Sequence, residues 1–180
     1  MDSALDAWAA NRKLFHERVE RAIAGARAAR SALALLHIDL DRIGQVNHLL
    51  GRELADRVLS DAAVRIAQGI GPCAALGRLA ADDFAAVIEV RDLDGAKKIA
   101  AALLEHCRTP YLIDCITVTV TASIGIGLYP ARARDATSLM ESAQLALFRA
   151  KITGRDRFYP GGATCYGGTV RWAISPAAPS

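Results

Sequence analysis

Four carboxylates stand in two tight pairs. Asp39 and Asp41 close the apolar run Ser31–Leu40, and Asp82 and Asp83 sit side by side in Arg78-Leu79-Ala80-Ala81-Asp82-Asp83-Phe84. Alternation along a strand puts Asp39 and Asp41 on one side. Asp39 lies deep among apolar residues, where an uncompensated charge is costly, so it needs a cation, a set of donors or a raised pKa. If the Asp82 hairpin is the neighbouring strand pair, Asp39 and Asp82 face each other at one end of a sheet. Carboxylates gathered there make a hard oxygen site suited to Mg²⁺ carrying nucleotide phosphates. A bland reading stays open beside it. Adjacent acids serve as the polar tip that any hairpin needs, and Asp39 serves as a structural acid capping the next helix.

The elements that must position these acids follow from periodicity. Residues 3 to about 30 read as a helix, with Trp8, Leu14, Phe15, Val19 and Ile23 mostly three or four apart. Ser31–Leu40 reads as a buried central strand, with a buried helix as the competing assignment. Asp41 is placed to cap a short helix from Arg42 to Leu50, stopped by Gly51. A longer helix runs from Arg52 to about Gln68, with Leu54, Val58, Leu59, Ala62, Ile66 and Ile70 on one face. The hairpin follows, from Cys73 to Leu79 and Phe84 to Val90. Asp92 or Asp94 caps a helix to about Cys107.

Tyr111–Cys115 and Ile116–Leu128 read as two strands, the second alternating apolar and smaller residues throughout. Gly125 and Gly127 share one of its faces, which implies a close backbone approach or a bend. A last helix spans about Asp135 to Thr153. The first 160 residues thus read as one domain, led by the helix over 1–30. Residues 161–180 read as a tail, with an added edge strand suggested by the alternation of Val170, Trp172 and Ile174 across 169–175. Interleaved helices and hairpins predict an α+β, ferredoxin-like fold: a mixed, mostly antiparallel sheet with helices mostly on one face.

Composition narrows the function classes. Hydrophobic residues are 52% of the chain, enough for a real core, and the net charge is +3. No Lys/Arg block exceeds two residues, so charge does not indicate a nucleic-acid partner. No apolar run reaches the ~20 residues of a membrane span, so direct membrane insertion is not expected. Cys73, Cys107, Cys115 and Cys165 lack metal-site spacing and read as reduced, mostly core thiols of a cytoplasmic protein.

Five segments in order resemble one family. They are Asn11-Arg12 with Leu14-Phe15; Asp39-Leu40-Asp41-Arg42 followed by Asn47 and Gly51; Arg78 to Phe84; Ala122-Ser123-Ile124-Gly125-Ile126; and Ala146 to Lys151 with Gly154-Arg155-Asp156. Over about residues 6 to 159 the chain resembles the GGDEF domains, the diguanylate cyclase family of bacteria. The resemblance implies a palm-like nucleotidyl cyclase fold. It implies two GTP-loaded domains meeting to form cyclic di-GMP. Asp39, Asp82 and the Leu40 carbonyl would be ligands of Mg²⁺. Asn47 and Asp56 would read the guanine edge, and Lys151 and Arg155 would contact the triphosphate. Asp83 stands where the family has its signature Glu, tied to metal or to activating the 3′-hydroxyl. The implied partners are GTP or another guanine nucleotide, and a second copy or another GGDEF/EAL signalling protein.

The departures from the family pattern are equally specific. The two signature glycines are Ala80 and Ala81, whose methyls obstruct close backbone approach to phosphates and disfavour positive φ. Asp83 is one methylene shorter than Glu. The family's Lys five residues after the metal-binding Asp is Gly44. Its inhibitory R-x-x-D motif is Gly71-Pro72-Cys73-Ala74. The losses fall on phosphate contacts and transition-state charge. They imply a degenerate domain that binds a guanine nucleotide or regulates, with impaired catalysis. The alternatives are an active diguanylate cyclase and a ligand-free dimerisation scaffold.

Overall fold

The computed structural model describes the backbone of residues 2–162 and the side chains of residues 10–162. The edge strand expected over 169–175 and Cys165 lie outside the described residues. Twelve elements follow in order: α1 (Asp2–Ala29), β1 (Ala32–Leu40), α2 (Ile43–Leu50), α3 (Arg52–Ile70), β2 (Ala75–Arg78), β3 (Asp83–Val90), α4 (Leu93–Arg108), β4 (Tyr111–Ile113), β5 (Ile116–Val118), β6 (Ala122–Tyr129), α5 (Ala136–Ile152) and β7 (Arg157–Pro160). The main sheet has the order β2-β3-β1-β6-β7, and β4-β5 forms a separate hairpin. All pairs are antiparallel except β6 with β7. The fold is thus the expected α+β type, a mostly antiparallel sheet flanked by helices.

The helices cover both faces, not mostly one. Leu36, Ile38, Phe84, Ala86, Ile124 and Ile126 face α3 and α4, while Leu33, Leu35, Ala85 and Val87 face α1 and α5. The reason lies in the two central strands. Every residue of β6 is buried, and β1 is buried at all but two positions, so neither face is left to water.

Ile116–Leu128 is not one strand. β5 pairs with β4, the chain leaves that hairpin, and β6 then pairs with β1. At the break, the Thr121 carbonyl accepts from the Asp41 N–H at 2.8 Å. Alternation reports which face a side chain takes and carries no information on which strand lies alongside. The sequence carries no signal for β7, whose four residues are too few to show a period.

Gly125 and Gly127 are where α5 crosses the sheet. A Cβ on Gly127 would meet the Leu139 carbonyl at 2.6 Å, and one on Gly125 would overlap Ala143 O and Leu147 N. This close approach fixes α5, and with it Lys151, against the centre of the sheet. Asp135 anchors the other end of α5 with a capping box to Ser138. Asp92 caps α4 by accepting from the Gly95 N–H at 2.9 Å. Of the described cysteines only Cys107 is buried; Cys73 and Cys115 are exposed, against the core placement expected for most of them.

Candidate functional site

The acids gather at the end of the sheet where β1 runs out. Asp39 and Asp83 are direct cross-strand partners, so their side chains share the face covered by α1 and α5. Asp82 lies just outside β3, and its carbonyl accepts from the Leu40 N–H at 3.1 Å, pinning the signature turn to β1. The strand partner of Asp39 is therefore Asp83, not Asp82. Asp82 belongs to the turn and is half-buried.

Each acid on this face has a cation beside it. Lys151, in the last turn of α5, places Nζ 2.7 Å from Asp39 Oδ2. Asp83 is held from two sides: His37 Nε2 lies 2.6 Å from Oδ1, and Arg12 Nη2 lies 3.8 Å from Oδ2. Arg155 Nε lies 4.0 Å from Asp41 Oδ1. Burial raises the Asp39 pKa to about 6, against the pull of Lys151 and with smaller upward pushes from Asp82 and Asp83. A buried strand acid that needs a cation has found one in its own chain.

Asp41 does not cap α2. Arg42 occupies the cap position in a left-handed conformation, with no side-chain cap. The buried Asp41 carboxylate instead accepts from Thr121 Oγ1 and Ser123 Oγ, each at 2.7 Å, and from the Asp156 N–H at 3.1 Å. It thereby ties β1 to the break before β6 and to the exit of α5. Arg155 and Asp156 both have positive φ, an uncommon conformation for non-glycine residues, and Asp41 helps to hold them there.

The signature turn closes without glycine. Neither Ala80 nor Ala81 has positive φ, so the conformational objection to alanine falls away and only the added methyls remain. The Asp83 carbonyl accepts from the Leu79 N–H at 2.7 Å and the Ala80 N–H at 3.3 Å. Arg78 folds back to donate to the Ala81 carbonyl and stacks over the buried Phe84 ring. Gly44 has open space where a side chain would project. Asn47 on α2 and Asp56 on α3 are exposed, on two helices that meet at Gly51, and neither side chain is hydrogen-bonded among the described residues.

The donors suit Mg²⁺ when phosphates complete its shell. Asp39, Asp82 and the Leu40 carbonyl are hard oxygens, and the Asp39 carboxylate, whose pKa is raised by burial, gains from further positive charge placed beside it. Among the described residues no group of three or more His, Cys, Asp or Glu forms a self-sufficient cage. Such an ion would be shared with a nucleotide.

His37, Arg12 and Asp41 are partners that the motif-based reading did not assign. For His37 a signal existed: it stands two residues before Asp39 and shares its face. Arg12 had no comparable signal, because its target lies on another element 71 residues away.

A mostly antiparallel sheet with a row of acids at one end, met by cations from the last helix, defines a nucleotidyl cyclase-type palm domain. The chain belongs to the GGDEF family: the model described as "Diguanylate cyclase, GGDEF domain" matches residues 9–157. It is 35% identical over 148 residues to the bifunctional diguanylate cyclase/cyclic di-GMP phosphodiesterase MucR of Pseudomonas aeruginosa, covering 82% of this chain and 22% of MucR. It is 28% identical over 146 residues to the cyclic di-GMP phosphodiesterase NbdA of the same organism, covering 81% of this chain and 19% of that protein. The crystal structure of the GGDEF domain of TpbB, also from Pseudomonas aeruginosa, superposes with a TM-score of 0.79 at 33% identity, covering 84% of this chain and 96% of that one. The chain thus spans about a fifth of the length of MucR and NbdA. It is a GGDEF domain of cyclic di-GMP signalling, and no described helix is long and apolar enough to cross a membrane.

Proposed function

We propose that this domain is a guanine-nucleotide-binding regulatory module with impaired cyclase chemistry. Asn47 and Asp56 hold the guanine edge by amide and carboxylate. Lys151 and Arg155 take the triphosphate charge, for which Lys151 turns from Asp39. Asp39, Asp82 and the Leu40 carbonyl hold the ion, which when bound neutralises phosphate charge. A second copy, or another GGDEF/EAL signalling protein, is the partner the domain would meet.

The observation that carries the impaired reading is the engagement of Asp83. Its Oδ1 lies 2.6 Å from His37 Nε2 and its Oδ2 lies 3.8 Å from the Arg12 guanidinium, and the side chain is only 17% exposed. A carboxylate held in this way is not free to activate a hydroxyl. Gly44 supplies no phosphate donor, and losing one donor aimed at developing charge costs about 3 kcal/mol in the transition state. The names of the relatives support keeping membership and catalysis apart, since one is called a phosphodiesterase and another bifunctional.

The second reading is an active diguanylate cyclase, favoured by the Ala80-Ala81 turn closing at negative φ. Incubation with GTP and Mg²⁺, followed by chromatography of the products, decides between them. Steady cyclic di-GMP formation at rates usual for the family sinks the regulatory reading. Calorimetry with GTP separates it from a ligand-free scaffold, for which no heat is expected from the folded protein.

A further inference from the structure

A second charged cleft lies at the opposite end of the sheet. There the C-terminal end of α1 meets the start of β1, the end of β3 and the end of β6, with Ala32 paired to Val90 and Leu33 to Tyr129. The cavity has a volume of about 600 Å³ and is lined by Arg27, Arg30, Ser31, Arg91 and Tyr129, with small apolar residues completing its walls. At 3.3 Å per residue, the run of β1 from Ala32 to Asp39 sets it roughly 23 Å from the acids. It is therefore not part of the nucleotide site.

We propose that this cleft binds a phosphate-bearing anion. Three guanidiniums from two separate segments line it, and no carboxylate does. None of the three has a carboxylate partner among the described residues, whereas Arg12, Arg57, Arg108 and Arg155 each lie beside an acid. The acids that follow Arg91 are already engaged: Asp92 accepts from the Gly95 N–H, and Asp94 pairs with Lys97.

Two hydroxyls complete the donor set. Ser31 Oγ is buried and has no hydrogen-bond partner among the described residues, a costly condition that an acceptor in the cleft would relieve once the hydroxyl rotates towards it. Tyr129 Oη accepts from Arg27 Nε at 3.4 Å and keeps its own proton to donate. Arg27 by itself is explained as a cation in the last turn of a helix, where the dipole favours it. That account covers neither Arg91, which follows a strand, nor the orphaned Ser31 hydroxyl. Guanidinium forks approaching from several sides, with hydroxyl donors between them, match the many acceptors of a phosphate better than the two of a carboxylate.

The test is calorimetry on the full chain carrying Lys151→Ala and Arg155→Ala, which removes the two phosphate-directed cations of the other end. Pyrophosphate is the probe, at low salt and without divalent metal. Saturable binding is expected, and adding Arg27→Ala and Arg91→Ala is expected to weaken it at least about tenfold, the loss of one charged hydrogen bond or more. All three arginines are exposed, so the variants keep the fold, which a thermal melt checks. GMP in place of pyrophosphate identifies the source of the phosphate, and binding of either that depends on Arg27 and Arg91 supports the site. No binding before the arginines are removed, or the same binding after, overturns it. The outcome is independent of GTP binding at the acids, because the background variant lacks that phosphate site.

Discussion

His37 Nε2 lies 2.6 Å from Asp83 Oδ1, across two neighbouring antiparallel strands. A carboxylate only accepts, so Nε2 carries the shared proton. The histidine is buried, and Asp83 also faces Arg12 from α1. The fourth signature position thus links the N-terminal helix, the central strand and the hairpin. Asp83→Ala leaves a buried imidazole N–H without its acceptor and is expected to cost about 2 kcal/mol of stability. Urea unfolding measures this. GTP affinity in the same variant is expected to change little; a large loss would place Asp83 in the nucleotide site instead.

Gly125 and Gly44 make a contrasting pair. Gly125→Ala drives a methyl into the backbone of α5, which cannot move aside as a flexible side chain would. The expected loss is about 3 kcal/mol or more, read as a sharp fall in Tm or as failure to fold. Gly44→Ala meets open space and is expected to leave Tm unchanged or slightly raised, since alanine favours helix.

Gly44→Lys returns a cation to the position where the family carries one. On the proposed function it is expected to tighten GTP binding about tenfold, the value of one charge-assisted hydrogen bond. Calorimetry with GTP and Mg²⁺ checks this. Unchanged affinity would argue that triphosphate does not lie beside α2.

Asp135 provides a pH test away from the acids. Its carboxylate accepts from the Ser138 N–H and hydroxyl, and these bonds hold its pKa below the ordinary value. A lowered folded-state pKa gives stability that is present above the unfolded pKa of 3.8 and is lost as pH falls through the folded value. Asp135→Ala is expected to cost about 1 kcal/mol at pH 7, as N-cap removal does. The difference from the unsubstituted protein is expected to shrink progressively below about pH 4 in acid titrations followed by circular dichroism.

The sequence by itself determined most of the element types, a close backbone approach or a bend at Gly125 and Gly127, and the presence of a charged end. A short apolar run ending in acids put Asp39 on a buried strand, where it needs compensation, and the paired glycines of β6 announced a close backbone approach or a bend. These are local signals, carried by periods of two and 3.6 residues. Only the tertiary structure decided which partner each acid takes. Asp39 went to Lys151, Asp83 to His37 and Arg12, and Asp41 to Thr121, Ser123 and the Asp156 N–H rather than to a helix cap. The change of partner between β5 and β6, the cover on both sheet faces and the arginine cleft belong to the same class. Each depends on residues brought together from separate elements. A one-dimensional pattern records which side of an element a residue takes, and leaves to packing what waits on that side.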